Sequence, residues 1–154
     1  MLFKRLNRDQ PEQVFVVAEN NEGATIDIDA TVQVDTTTDV DGVKVRDMDT
    51  GDLYAFMGVA DAAIADNNFG LIQVYGYRST SQILTTDTSI AAGLPLIPVA
   101  GQEYFNSFET AITQASSTDQ QATTITLQPT FGCLLESITT STGTASLKIF
   151  IRAM

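Results

Sequence analysis

Histidine and tryptophan are absent from these 154 residues, and cysteine occurs once, at Cys133. Without histidine, Ser-His-Asp catalysis, His-ligated zinc and imidazole proton shuttles are excluded. One cysteine makes neither an intramolecular disulfide nor a CxxC site. It lies in the apolar stretch Phe131-Gly132-Cys133-Leu134-Leu135. With no histidine to activate it, a buried structural thiol is expected rather than a nucleophile. Phosphate-binding glycine loops of the GxxxxGK or GxGxxG type are missing. No apolar run approaches the ~18–20 residues that span a bilayer. No apolar h-region follows the opening MLFKRLNRDQPEQ, so no secretory signal is read there. These absences point to a non-enzymatic chain with no cofactor, no bound metal and no membrane partner.

Positive charge is also scarce. Eight Lys and Arg face 19 Asp and Glu, for a net charge of −11. A nucleic-acid partner, which needs cationic surface to displace counterions, is not expected. The charge is segregated. Residues 1–8 carry +3, residues 9–66 carry −12 and residues 67–154 carry −2. The bland reading of the acids is a solvated surface. The sharper reading is an outward acidic face with a basic foot that grips something acidic. In that foot Lys4, Arg5 and Arg8 stand beside Leu2, Phe3 and Leu6.

What is present in quantity is period-2 alternation. In 24–34, Ile26, Ile28, Val32 and Val34 share one face and Thr25, Asp27, Asp29, Thr31 and Gln33 the other. That is a half-buried antiparallel strand, with Ile26, Ile28 and Val32 inside and Asp27 and Asp29 outside. Val43, Val45 and Asp47 alternate with Lys44 and Arg46. Val14–Ala18, Phe69–Tyr77 and Thr123–Leu127 also read as strands. In Ser146–Arg152, Leu147, Ile149 and Ile151 face in, and Lys148, Phe150 and Arg152 face out. Turn signals separate the runs, with Asp41-Gly42 the best two-residue hairpin candidate. Asp61–Asp66 reads as one helical turn or a strand edge, and Ser107–Ser117 is the one longer stretch with helical spacing. Thirty Thr and Ser residues suit exposed β faces. The sum predicts an all-β chain. Residues 1–12 form a basic arm, and 13–154 form a single domain, an antiparallel β-sandwich or small β-barrel.

Three constellations bear on chemistry. Asp35, Asp39, Asp41, Asp47, Asp49 and Asp52 invite a calcium reading, but the spacing departs from a calcium loop and the closing Glu is absent. Asp27 and Asp29 lie on one strand face without the aromatic platforms of a glycosidase. Phe69, Leu71, Gln73, Tyr75 and Tyr77 share one alternating face, read as core or subunit contact before a stacking platform.

Two stretches go beyond generic pattern. Phe56–Gly76 carries Gly58-Val59-Ala60, a short spacer, and Phe69-Gly70-Leu71-Ile72-Gln73-Val74-Tyr75-Gly76. Asp87–Ala100 carries a small-residue run and then Ala92-Gly93-Leu94-Pro95-Leu96-Ile97-Pro98. With the basic start and Asp9-Gln10-Pro11, the combination resembles small capsid decoration (cement) proteins of tailed bacteriophages. The motifs cover about a quarter of the chain, and Leu71 stands where an aromatic often sits in that group. The resemblance implies a structural virion protein on the outer capsid surface, with the major capsid protein as partner and a homotrimeric state. Leu2, Phe3, Lys4, Arg5, Leu6 and Arg8 are the candidate capsid contacts. A carbohydrate- or receptor-binding module of a head fibre or tail is the alternative. The resemblance also gives the glycines a role: Gly70 where a strand enters or bends, and Gly76 at a bulge or close backbone approach. Pro95 and Pro98 are expected to confine their strand to a sheet edge.

Overall fold

β-branched and aromatic residues at alternate positions fit a pleated, half-buried surface. The computed structural model, which describes residues 11–37, 42–48, 53–85, 90–99, 101–107, 130–139 and 143–153, builds strands from them. Among the described residues there are eleven strands and no α-helix. Five of them close a barrel: β1 (Gln13–Asn20), β2 (Thr31–Val34), β3 (Lys44–Asp47), β4 (Phe56–Ala60) and β5 (Phe69–Arg78). Their order is β1-β3-β2-β4-β5, and β5 returns to β1 to close the ring. All pairs in the ring are antiparallel except β1 with β3. The barrel settles the choice that alternation left open.

The sheet continues beyond the barrel from the far end of β5. There β11 (Ile149–Arg152) pairs with Tyr75–Arg78. The order continues through β9 (Gly132–Leu134), β7 (Pro95–Pro98), β8 (Phe105–Ser107), β6 (Gln82–Thr85) and β10 (Gly143–Ser146). Two apolar clusters result. Ala18, Ile26, Val32, Val45, Ile64, Ile72 and Val74 are one. Met48, Phe56 and Val59 of the barrel wall join Ile83, Leu96, Phe105, Leu134, Ile149 and Ile151 in the other. Each fully buried Ile or Leu contributes roughly 1.5–3 kcal/mol of transfer free energy. Both glycine expectations hold. Gly76 has φ 101, and a Cβ there would strike the Glu12 carbonyl where β1 crosses. Over Gly70 lies the Ile64 side chain, in the space a Cβ would need.

Several expectations change. Ile26 and Val32 are fully buried as predicted, but the strand between them is broken. Asp27–Ala30 is a turn, with the Ala30 N–H on Asp27 O at 3.3 Å and Asp29 at φ 68, a conformation short polar side chains tolerate. The turn puts Ile28 in solvent at 57% exposed and Asp29 inside at 9%. Leu147, Ile149 and Ile151 are buried and Lys148 is exposed, as predicted. Ser146–Arg152 is nevertheless two strands, because Leu147 bonds Ser81 O between them. Phe150 is half-buried rather than out, its ring edge-on to Tyr75 at 5.2 Å. The Asp61–Asp66 segment is neither helix nor strand edge but a turned link bridged to the barrel at Ile26–Ile64. Pro95 and Pro98 do not mark an edge: β7 lies between β8 and β9. The prolines lack N–H donors, so neighbours donate to β7 and its flank instead, Phe131 N–H to Leu96 O and Leu134 N–H to Leu94 O. Ser107 ends a strand, and the rest of the predicted helix, like Thr123–Leu127 and Asp41, lies outside the described residues.

Candidate functional site

The six candidate contacts, Leu2, Phe3, Lys4, Arg5, Leu6 and Arg8, lie outside the described residues, as do Asp39, Asp49 and Asp52. The described chain starts at Pro11 and enters β1 two residues later. From that point β1 and β5 run antiparallel, with Val17 opposite Leu71 and Glu19 opposite Phe69. Directly opposed residues share a sheet face. Val17 is 61% exposed, Phe69 62% and Leu71 46%. Three large apolar side chains therefore form one strip on rigid strands. Gln73, on the same alternating face of the sequence, is fully buried. Its amide donates to Tyr77 O at 2.9 Å and its carbonyl accepts from Arg78 Nη1 at 3.2 Å. Tyr75 and Tyr77, on the same alternating face, are half-buried.

Sequence reading missed Arg78. It is 5% exposed and ends β5 on the same parity as buried Ile72 and Val74, a signal that was legible. Its guanidinium gives Nε to Asp29 Oδ1 at 3.1 Å, Nη1 to Asp61 Oδ1 at 3.2 Å and Nη2 to Ala60 O at 2.8 Å. Thr80 Oγ1 donates to the same Asp29 oxygen at 3.2 Å. A buried guanidinium with this many acceptors fixes geometry; it offers no open position to a substrate.

The acidic cluster proposed for calcium is split. Asp35 is buried at one end of the β2–β3 ladder, accepting from Thr37 N at 2.8 Å, Thr37 Oγ1 at 2.7 Å and Asn21 Nδ2 at 2.6 Å. That is turn chemistry. Asp47 is at the other end, opposite Val32. It borders a cleft of about 460 Å³ at the seam between the barrel and the rest of the sheet, with Glu22, Arg46, Gln102, Glu103 and Tyr104. Glu22 Oε2 accepts from the Asp47 N–H at 3.1 Å and from Arg46 Nε at 3.3 Å. The Asp47 carboxyl has Glu103 beside it instead of a cation. Burial first, then the Glu103 and Glu22 carboxylates, push its pKa up to about 7. Among the described residues no group of three metal-ligating side chains is arranged to hold an ion. Glu103 was another miss, an isolated acid in a polar link, with no local pattern to mark it.

Cys133 is half-buried on β9 rather than fully buried, with Arg152 Nη2 at 3.7 Å from its sulfur. The strand exposes one side of it because the cysteine faces away from the Leu134 core position. Comparison with protein-family models and with curated proteins finds no match to this chain.

Proposed function

We propose that this chain is a non-enzymatic structural virion protein. It binds the outer surface of a phage capsid and stabilises the shell by bridging capsid subunits. The observation that carries the reading is the strip Val17, Leu71 and Phe69. An exposed apolar patch on rigid strands is the mark of a contact surface. Phe56–Gly76, the longer segment of the resemblance, runs from β4 through β5 and supplies Leu71 and Phe69 to the strip. The arm, with Leu2, Phe3, Lys4, Arg5, Leu6 and Arg8, precedes β1 and supplies a second contact of opposite charge to the body. The partner is the major capsid protein. The resemblance adds a homotrimer, in which each copy holds its neighbours near the shell at high effective concentration. A clamp across subunit junctions adds interface that must break before the pressurised shell opens.

The rival is a carbohydrate- or receptor-binding module. What favours it is the polar seam cleft, where Tyr104 stands among Glu22, Arg46 and Gln102. Sedimentation with purified expanded and unexpanded shells decides between them. Shells should retain the full chain, and both Leu71→Asp and deletion of residues 2–8 should weaken retention. Salt should diminish only the arm's share. Equal retention of all three proteins, or binding to glycans instead of shells, overturns the capsid reading.

A further inference from the structure

The polar closure of the seam runs through one turn, residues 101–104. The Gly101 N–H donates to Met48 O at 2.9 Å, the Thr31 N–H to Glu103 O at 3.1 Å and the Thr31 hydroxyl to Gln102 O at 3.2 Å. These bonds tie the turn to β2 and to the end of β3. The turn leads into β8, where Phe105 meets Phe56 of β4 edge-on at 5.6 Å. Whatever loosens residues 101–104 therefore loosens the polar side of the joint between the two cores.

At this turn the charges are unbalanced. Asp47 and Glu103 both border the cleft, and no cation stands among the groups that shift the Asp47 carboxyl. Glu22, from the link after β1, is drawn to Arg46 and to the Asp47 N–H. Asp27, from the link before β2, adds further negative charge. Arg46 is the one cation lining the cleft among the described residues, and its Nε is on Glu22. Tyr104 completes the wall. Asp47 Oδ1 is buried without a hydrogen-bond partner. An ionised Asp47 is repelled by the Glu103, Glu22 and Asp27 carboxylates, and a protonated one is not.

We propose that Asp47, facing the turn that carries Glu103, is a proton-operated latch, which holds the turn 101–104 on the barrel while the Asp47 carboxyl carries a proton and loosens it when that carboxyl ionises. The latch stands whether or not the chain binds a capsid. Its sign follows from linkage. Asp47 is raised from 3.8 to about 7 in the closed seam. Opening returns it towards its ordinary value, so the closed state loses stability as pH rises between these two values and levels off above the upper one.

Amide hydrogen exchange of the full chain, expressed as protection factors at pH 5 and pH 8, reads the latch. Gly101 and Thr31 report the turn. Ile26 and Ile64, whose amides bond each other's carbonyls inside the barrel, are the reference. Protection at Gly101 and Thr31 should fall at least about tenfold from pH 5 to pH 8 while the reference pair is unchanged. Asp47→Asn should abolish the contrast. Glu103→Gln should move its midpoint to lower pH. Equal protection at both pH values in the natural chain, or a contrast that survives Asp47→Asn, overturns the proposal. If Asp47→Asn does not fold, the Glu103→Gln midpoint decides, and a midpoint equal to that of the natural chain overturns it as well.

Discussion

Asp29 is buried and Asp47 half-buried, and they meet opposite neighbourhoods. Asp29 receives two nitrogens of Arg78 and the Thr80 hydroxyl. Asp47 receives acids: Glu103, Glu22 and Asp27. The first arrangement compensates the desolvation of a carboxylate with charge-assisted hydrogen bonds. The second leaves desolvation to be met by a proton. One acidic region of the molecule thus behaves as a fixed strut and the other as a titratable joint, although composition counts both simply as negative charge.

The strongest way to break the contrast is to remove the cation. Arg78→Ala leaves Asp29 buried with no positive partner and strips Gln73 Oε1 of its donor. It should lower unfolding free energy by about 3–5 kcal/mol in a denaturant titration. A loss below about 1 kcal/mol would mean that water reaches Asp29 and the strut is not rigid. An apolar benchmark comes next. Ile149→Ala should cost roughly 2–5 kcal/mol, because its site is fully buried in the second core. Ile28→Ala, on the exposed turn beside Asp29, should cost under about 0.5 kcal/mol. Equal costs would contradict the turn at Asp27–Ala30.

A smaller effect, of opposite sign, is expected at the other carboxylate. Asp47→Asn never ionises, so it should stabilise the protein above about pH 7 and do little near pH 4. Half-exposure screens the effect, and about 1–2 kcal/mol at pH 8 is expected from parallel melts at the two pH values. Destabilisation at pH 8 would place Asp47 with Asp29, as a carboxylate the fold needs ionised. The smallest effect belongs to the surface pair of Lys148 and Glu136, 2.9 Å apart. Their hydrogen bond holds the Glu136 carboxyl below its usual range and the Lys148 ammonium above its own. Lys148→Ala should leave the thermal midpoint within measurement error, since exposed pairs gain little in water.

The sequence by itself determined the all-β class, the inward face of 146–152 and the burial of Ile26 and Val32. Each follows from local rules of side-chain period and β-branching. Only the tertiary structure decided that the sheet closes into a barrel, because closure depends on β1 meeting β5 across more than fifty residues. It also decided the fates of Ile28 and Asp29. Alternation gave them opposite sides from those they take, and what overrode it was a partner far along the chain. Arg78, 49 residues later, holds Asp29 inside. Pro95 and Pro98 could sit between two strands because the donors come from the β9 side, at Phe131 and Leu134. Likewise the character of Asp47 rests on Glu103, which arrives from the turn before β8. Pattern along a chain reports which side chains leave water; which of them meet a cation, an acid or a second strand is set by contacts distant in sequence, and those are fixed only when the chain folds.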